Sequence, residues 1–339
     1  MNPVADRNPL LQVEGLRKWF DITRGVFSHK VGQVKAVDDV SFVVSRNEVL
    51  GLAGESGSGK TTIGRSILRL IEPTGGRITF DKVDVTALDD RALRRFRRRM
   101  QIIFQDPLAA LNPEMTVEAI LSEPLILQRI ARNSAERRER AVALLESVAL
   151  SGDYLTRRPS DLSGGQRQRI VIARALAVGP EFIVADEPVS ALDVSVQAQI
   201  IALLEELKER LGLSMLFISH DLATMEYLSD RIAVLYLGRV MEIGPATEVC
   251  GVPRHPYTEM LISAVPDRQR RRQRIMPAGE IPSAAAPPSG CVFRTRCSYA
   301  RAECASAIPP LRKVGQNHYS ACVRDDVDLA RAHRQNGSG

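Results

Sequence analysis

The segment GESGSGKT, residues 54–61, sets glycines, a lysine and a hydroxyl in the order G-x-x-x-x-G-K-[ST]. Gly54, Gly57 and Gly59 let the backbone wrap closely, so that successive N–H groups face a phosphate. Lys60 can reach the β- and γ-phosphates, and the Thr61 hydroxyl suits Mg²⁺. Glu55, Ser56 and Ser58 complete the stretch, and Thr62 follows it. This is chemistry for a nucleoside triphosphate. A second half of such a site stands in FIVADEP, 182–188, where Asp186 ends an apolar run and offers Mg²⁺ a hard oxygen ligand. Glu187 follows it and is placed to polarise an attacking water.

DLSGGQRQR, 161–169, reads two ways. Ser163 and Gln166 form a capping box of the S-x-x-Q type, which starts the helix carrying IVIARALAV. That leaves Gly164 and Gly165 unexplained, because a helix prefers better formers at both positions. A helix start rich in N–H groups and free of bulky side chains is also a phosphate receptor, here for a triphosphate already held elsewhere. The last conspicuous group is Cys291, Cys297, Cys304 and Cys322, with five, six and seventeen residues between successive members. Four soft thiolates suit zinc or an iron–sulfur cluster, and the spacing matches neither short zinc pairs nor ferredoxin runs. Cys250, in ATEVCG, stands apart and is expected to be a free thiol.

These residues need a scaffold, and alternating strand-like and helix-like segments from residue 10 onward predict an α/β domain. EVLGLAG (48–54) is a short apolar strand leading into the glycine-rich turn, and TTIGRSILRLI has helical spacing. MQIIFQ (100–105), EFIVADE (181–187) and LSMLFIS (213–219) read as buried strands. Between 105 and 181 lies a mostly helical insert. VSVQAQIIALLEELKERLG (194–212) puts Val196, Ile200, Leu203, Leu207 and Leu211 on one face, with Gly212 as its stop. The Pro-, Ala- and Arg-rich segment 262–290 marks a boundary, and the closing QNGSG looks like a tail.

Composition narrows the function classes. Charged residues at 25% and hydrophobic residues at 44% are ordinary for a soluble globular chain, and no apolar run is long enough for a transmembrane helix. MNPVADRNPLLQVEGL lacks the pattern of a signal peptide, so the chain is expected to stay in the cytosol, where disulfides rarely persist. The net charge of +6 is concentrated in RALRRFRRRM (91–100), AERRERA (135–141) and DRQRRRQR (267–274). No aromatic residues interleave with these runs to stack bases, so they read as solvated faces or linkers and nucleic acid is not an expected partner.

LSGGQ, taken with the two preceding motifs, resembles the ATP-binding subunit of an ABC transporter over roughly residues 10–250. The resemblance implies a P-loop ATPase of the ABC type, a RecA-like core sheet with a helical subdomain at about 106–178, followed by an extension over 251–339. It makes Gln105 of IIFQDP a link between the site and the membrane partner and a further ligand of Mg²⁺. Asp193, in SALD, matches the loop that meets the opposite subunit, and His220, in FISHD, matches the residue that contacts the γ-phosphate. Phe20 of LRKWF is chosen as the aromatic that stacks on adenine, with Trp19 as the alternative. All these motifs are intact, so ATP hydrolysis is implied.

FQDPLAALNPEMTV (104–117) and RHPYTEMLISAVP (254–266), followed by proline-rich sequence and the cysteines, narrow the resemblance to bacterial dipeptide and oligopeptide importers. That group implies a peripheral subunit on the cytoplasmic face of the inner membrane. Two ATPase subunits, identical or homologous, would sandwich two ATP molecules and drive two membrane-spanning permeases, with a separate solute-binding protein delivering cargo. Nickel or a sugar-peptide are alternative cargoes, and a non-transport ATPase acting on DNA or the ribosome is the rival class. A single phosphate loop and the lack of sustained heptads speak against that rival. For Cys291, Cys297, Cys304 and Cys322 the resemblance implies a [4Fe–4S] cluster, with zinc as the alternative.

Overall fold

The computed structural model describes residues 9–24, 29–265 and 274–324. The tail QNGSG, residues 267–273 of the last basic run and the first eight residues lie outside the described set. The described residues divide into two compact units: one within Met1–Ser45, Val49–Thr86 and Ser219–Gly339, the other within Arg46–Glu48 and Ala87–Ile218.

In the first unit, β1 (Leu11–Arg24), β2 (His29–Val44), β4 (Gly75–Phe80) and β5 (Val83–Asp84) form an antiparallel sheet in the order β2-β1-β4-β5. β3 (Val49–Ala53) is buried at every position and pairs parallel to β9 (Arg231–Tyr236). A strand covered on both faces needs a continuous apolar run, and VLGLA supplies it. β9 turns back into β10 (Arg239–Pro245). β12 (His318–Ser320) then pairs with β10, and β11 (Arg312–Gly315) pairs with β12. The C-terminal region thus adds β12 and β11 to this sheet beyond β10, with β9 and β10 between them and β3. Helices α1 (Lys60–Ile67), α8 (Leu222–Leu228), α9 (Ala246–Gly251) and α10 (Pro256–Ser263) complete this unit.

The second unit holds three parallel strands, β6 (Met100–Ile103), β7 (Phe182–Asp186) and β8 (Ser214–Ile218), with β7 in the middle. All are short apolar runs, as read from sequence. The helical insert contains α3 (Pro107–Ala110), α4 (Val117–Leu127), α5 (Ser134–Ser147) and α6 (Gly164–Leu176). α2 (Asp90–Phe96) precedes it, and α7 (Val194–Leu211) follows β7. α7 ends at Gly212 with left-handed φ of 63°, as the sequence predicts. Its apolar face is narrower than expected: Ile200, Leu203 and Leu207 are buried, whereas Leu211 is 51% exposed in the last turn.

Two arginine runs have structural work. Arg99 forks onto Glu181 at 2.5 and 2.9 Å, and Arg98 donates to the carbonyl of Val178, tying α2's end to the start of β7. In α5, Arg138 pairs with Glu118 and Arg140 with Glu136. No helix among the described residues is long and apolar enough to cross a membrane.

Candidate functional site

The phosphate loop joins β3 to α1 in the first unit. Gly59 sits at φ 103°, and a Cβ there would lie 2.3 Å from the carbonyl oxygen of Ala36, so only glycine fits. This forces the chain straight from the loop into the first turn of α1. Lys60 opens that helix at 5% exposure, and its ammonium donates to the carbonyls of Gly54 (2.8 Å) and Glu55 (3.1 Å). A buried cation held on loop carbonyls at a helix start is suited to receive a polyanion. Among the described residues the buried Ser58 hydroxyl has no hydrogen-bond partner, a polar atom that a bound oxyanion would satisfy. Ser56 and Gly57 are exposed at the rim, and Thr61 and Thr62 are half-buried.

Two other candidates belong to this unit. Phe20 is 40% exposed on β1, with the Lys18 ammonium 4.9 Å from its ring centre. Trp19 is half-buried under Lys35, which leaves Phe20 the more open face for a base. His220 is exposed and precedes α8, whose first turn Asp221 caps by accepting from Ala223 N–H at 3.0 Å.

Residues that sequence reasoning did not find also hold the loop. The hydroxyl of Tyr257, in the HPYT segment, accepts the Glu55 N–H at 2.9 Å. Arg296 pairs with both carboxylate oxygens of Glu55, at 2.6 and 3.0 Å. HPYT was visible as a motif, but its contact was not. For Arg296 the separation of 241 residues left no local signal.

In the second unit, Asp186 ends β7 and is 1% exposed. Glu187 follows at φ 48°, a left-handed conformation that a glutamate adopts only under constraint, and its N–H donates to Ile218 O at 3.0 Å. The Gln105 amide donates to the Glu187 carboxylate at 3.1 Å. The structure therefore brings together Gln105, Asp186 and Glu187, three of the predicted residues from two strand ends. Asp193 is exposed at the start of α7 and makes no side-chain cap.

The LSGGQ segment starts α6 as a full capping box: Gln166 N–H donates to the Ser163 hydroxyl at 3.3 Å, and Ser163 N–H to the Gln166 side chain at 3.0 Å. The glycines have their own reason. A Cβ on Gly165 would come within 2.6 Å of Val196 Cγ1, and one on Gly164 within 3.2 Å of Leu192. Close packing on α7, together with the open helix start, accounts for two poor helix formers in a row.

The cysteines require a correction. Cys291, Cys297, Cys304 and Cys322 do line one cavity, with His255, Phe293 and Tyr299. Yet no group of three or more His, Cys, Asp or Glu among the described residues is placed to hold a metal ion. The cavity has a volume of about 10 Å³, about what a single water needs. Burial pushes the Cys291 and Cys297 thiols up to about 11 and raises Cys322 as well. The expected [4Fe–4S] cluster and its zinc alternative therefore have no support among the described residues. All five cysteines, Cys250 included, are free of disulfides.

Comparison with known proteins follows the same lines. Residues 37–190 match the ABC transporter family model, and residues 241–304 match the C-terminal region of oligopeptide/dipeptide transporters. A Brucella ovis protein named for peptide import and ATP binding is 57% identical over 321 residues, covering 94% of this chain and 99% of that protein. The oligopeptide transport ATP-binding protein AppF of Bacillus subtilis is 47% identical, covering 94% of this chain and 98% of its own. Among solved structures, a dimeric ATP-binding cassette in a post-hydrolysis state with ADP and Pi matches with a TM-score of 0.62 at 32% identity. It covers 70% of this chain and 98% of that one.

Proposed function

Because this chain belongs to the ABC transporter family, on its oligopeptide/dipeptide branch, we propose that it is the ATP-hydrolysing subunit that powers bacterial peptide import. The observation that carries the ATPase reading is the phosphate loop, with Gly59 wrapped against Ala36 and Lys60 buried on the loop carbonyls. Peptide as cargo is supported by the names of relatives matched over nearly the whole chain.

In this reading the amides of Gly54–Thr62 and the Lys60 ammonium bind the β- and γ-phosphates, and Phe20 stacks on the adenine. Thr61, Gln105 and Asp186 offer the oxygens that Mg²⁺ prefers, and the ion would offset the charge of the phosphate oxygens. Glu187 accepts a hydrogen bond from the attacking water and takes up its proton; Gln105 holds that carboxylate in place. His220 contacts the γ-phosphate. Ser163, Gly164, Gly165 and Gln166 serve the nucleotide of a second ATPase subunit, and Asp193 faces that subunit. The subunit pair works on two permeases at the cytoplasmic face of the inner membrane, with a solute-binding protein outside.

The test is Glu187→Gln in the complex assembled with its membrane subunits. Removing a general base costs about 10²–10⁴ in rate, so ATP turnover should fall by about a thousandfold. MgATP affinity of the full chain should stay within about twofold, since Glu187 is not needed to neutralise phosphate charge. Near-normal turnover would remove Glu187 from its role.

A further inference from the structure

We infer that Arg296 and Tyr257, both C-terminal to the matched ATPase core, clamp the phosphate loop through Glu55 and position it for nucleotide. The inference rests on the reading of 54–61 as an ATP-binding loop, and it gives the C-terminal region a part in ATP binding itself.

Glu55 is one of the unspecified positions of G-x-x-x-x-G-K, yet its amide, carboxylate and carbonyl all have partners. Its carboxylate takes a fork from Arg296, Nη1 to Oε2 at 2.6 Å and Nη2 to Oε1 at 3.0 Å. Its amide donates to Tyr257 Oη at 2.9 Å. Its carbonyl accepts from Lys60 Nζ at 3.1 Å. Amide, carboxylate and carbonyl are thus all fixed, two of the three by residues beyond position 250.

The clamp is itself rigid. The Arg296 side chain is 5% exposed and its partner's 24%, so the pair is little screened by water. Tyr236, Tyr257 and Phe293 form a three-ring cluster with centres 4.7, 5.3 and 5.1 Å apart. Arg296 Nη1 also lies 3.4 Å from Tyr236 Oη, and Arg296 N–H donates to Phe293 O at 3.0 Å. Burying an arginine among rings is costly unless its charge is matched, and Glu55 matches it.

The charge logic gives the arrangement a purpose. A carboxylate inside a phosphate loop would repel a triphosphate at short range. Arg296 cancels that charge and fixes the Glu55 side chain by a two-point fork. Loss of Arg296 should leave Glu55 both mobile and uncompensated, and nucleotide affinity should drop.

The experiment is calorimetric titration of the full chain with MgATP, alongside the unfolding midpoint of the nucleotide-free protein. Arg296→Met, similar in length and uncharged, should raise Kd about tenfold, in line with losing a charge-assisted hydrogen-bonded pair. Arg296→Lys should recover part of the affinity. Glu55→Gln combined with Arg296→Met should lose no more than the worse single variant, because both act through one pair. Tyr257→Phe keeps the ring and removes only the acceptor for Glu55 N–H; its Kd should rise about threefold. If Arg296→Met does not fold, Tyr257→Phe decides: unchanged affinity in a folded protein overturns the clamp. Wild-type affinity in folded Arg296→Met, or multiplying losses in the double variant, overturns it equally. Failure of the wild-type chain to bind MgATP would instead overturn the ATP-binding reading on which the clamp rests.

Discussion

The phosphate loop and the cysteine cavity lie in the same unit, and both stand out as short stretches of unusual composition. They differ in what does the work. In the loop, backbone amides carry the chemistry, and the glycine pattern that orients them is contiguous in sequence, so the motif contains its own geometry. In the cavity, four side chains from separate turns must converge, lose their protons and leave room for a guest. Cys291, Cys297, Cys304 and Cys322 meet the first condition. Beyond that the structure offers no support: no group of three or more His, Cys, Asp or Glu among the described residues is placed to hold a metal ion, burial raises the Cys291 and Cys297 thiols, and the enclosed space is about 10 Å³. Residue spacing reports convergence; it does not report protonation or volume.

The strongest way to break this comparison is at Lys60. Lys60→Ala removes the one ammonium that is buried on the loop, at 5% exposure. MgATP affinity of the full chain should fall by about a hundredfold, because a cation in partly dry surroundings contributes several times its value in water. Removing Cys304, buried in the other region, should change that affinity by less than about twofold, since its contribution is packing. Equal losses at the two positions, read by calorimetry, would mean the regions are not distinct.

What was legible follows the same division. The buried strands β3, β7 and β8 could be read because each is a short, mostly apolar run, whereas β6 carries Gln101 and is buried only at Met100 and Ile103. The capping box of Ser163 and Gln166 was local and correctly read. The reason for Gly165 was not, since it lies in Val196 of another helix. The antiparallel β1–β2 ladder was missed as well, because its outer half is exposed and gives no apolar alternation. The grip of Arg296 on Glu55 joins positions 241 residues apart, with nothing in either neighbourhood to announce it. Contiguous chemistry is readable; contact between distant side chains is a property of the packed fold.

A second test concerns His255, on the wall of the cysteine cavity. Its Nδ1 accepts from Tyr257 N–H at 3.0 Å and so caps α10, and burial holds its pKa down at about 3. The folded state therefore binds fewer protons than the unfolded chain once pH falls below the unfolded value of 6.5. Stability should decline progressively from there toward about pH 3. His255→Asn keeps a capping acceptor and removes the titration, so its unfolding midpoint should fall less steeply with acid. Parallel profiles for the two proteins would sink this account.

The smallest expected effect is also the most direct probe of the cavity. Cys291 and Cys297 titrate near about 11, above the ordinary 9.0, because burial penalises the thiolate. Near neutral to mildly basic pH, their thiolate fraction is then about a hundredth of an unperturbed thiol's, and alkylation should be slowed by about that factor. Labelling of the folded protein, followed by mass spectrometry of the cysteine peptides, should show their rates climbing about tenfold per pH unit. The linkage has a fixed sign: the folded state holds these protons more tightly, so stability is present below 9.0 and lost as pH rises through about 11. Rapid labelling at mildly basic pH would mean that the cavity holds its sulfurs as thiolates. The contrast with the phosphate loop would then collapse, because both regions would be charged receptors and the thiols more than packing.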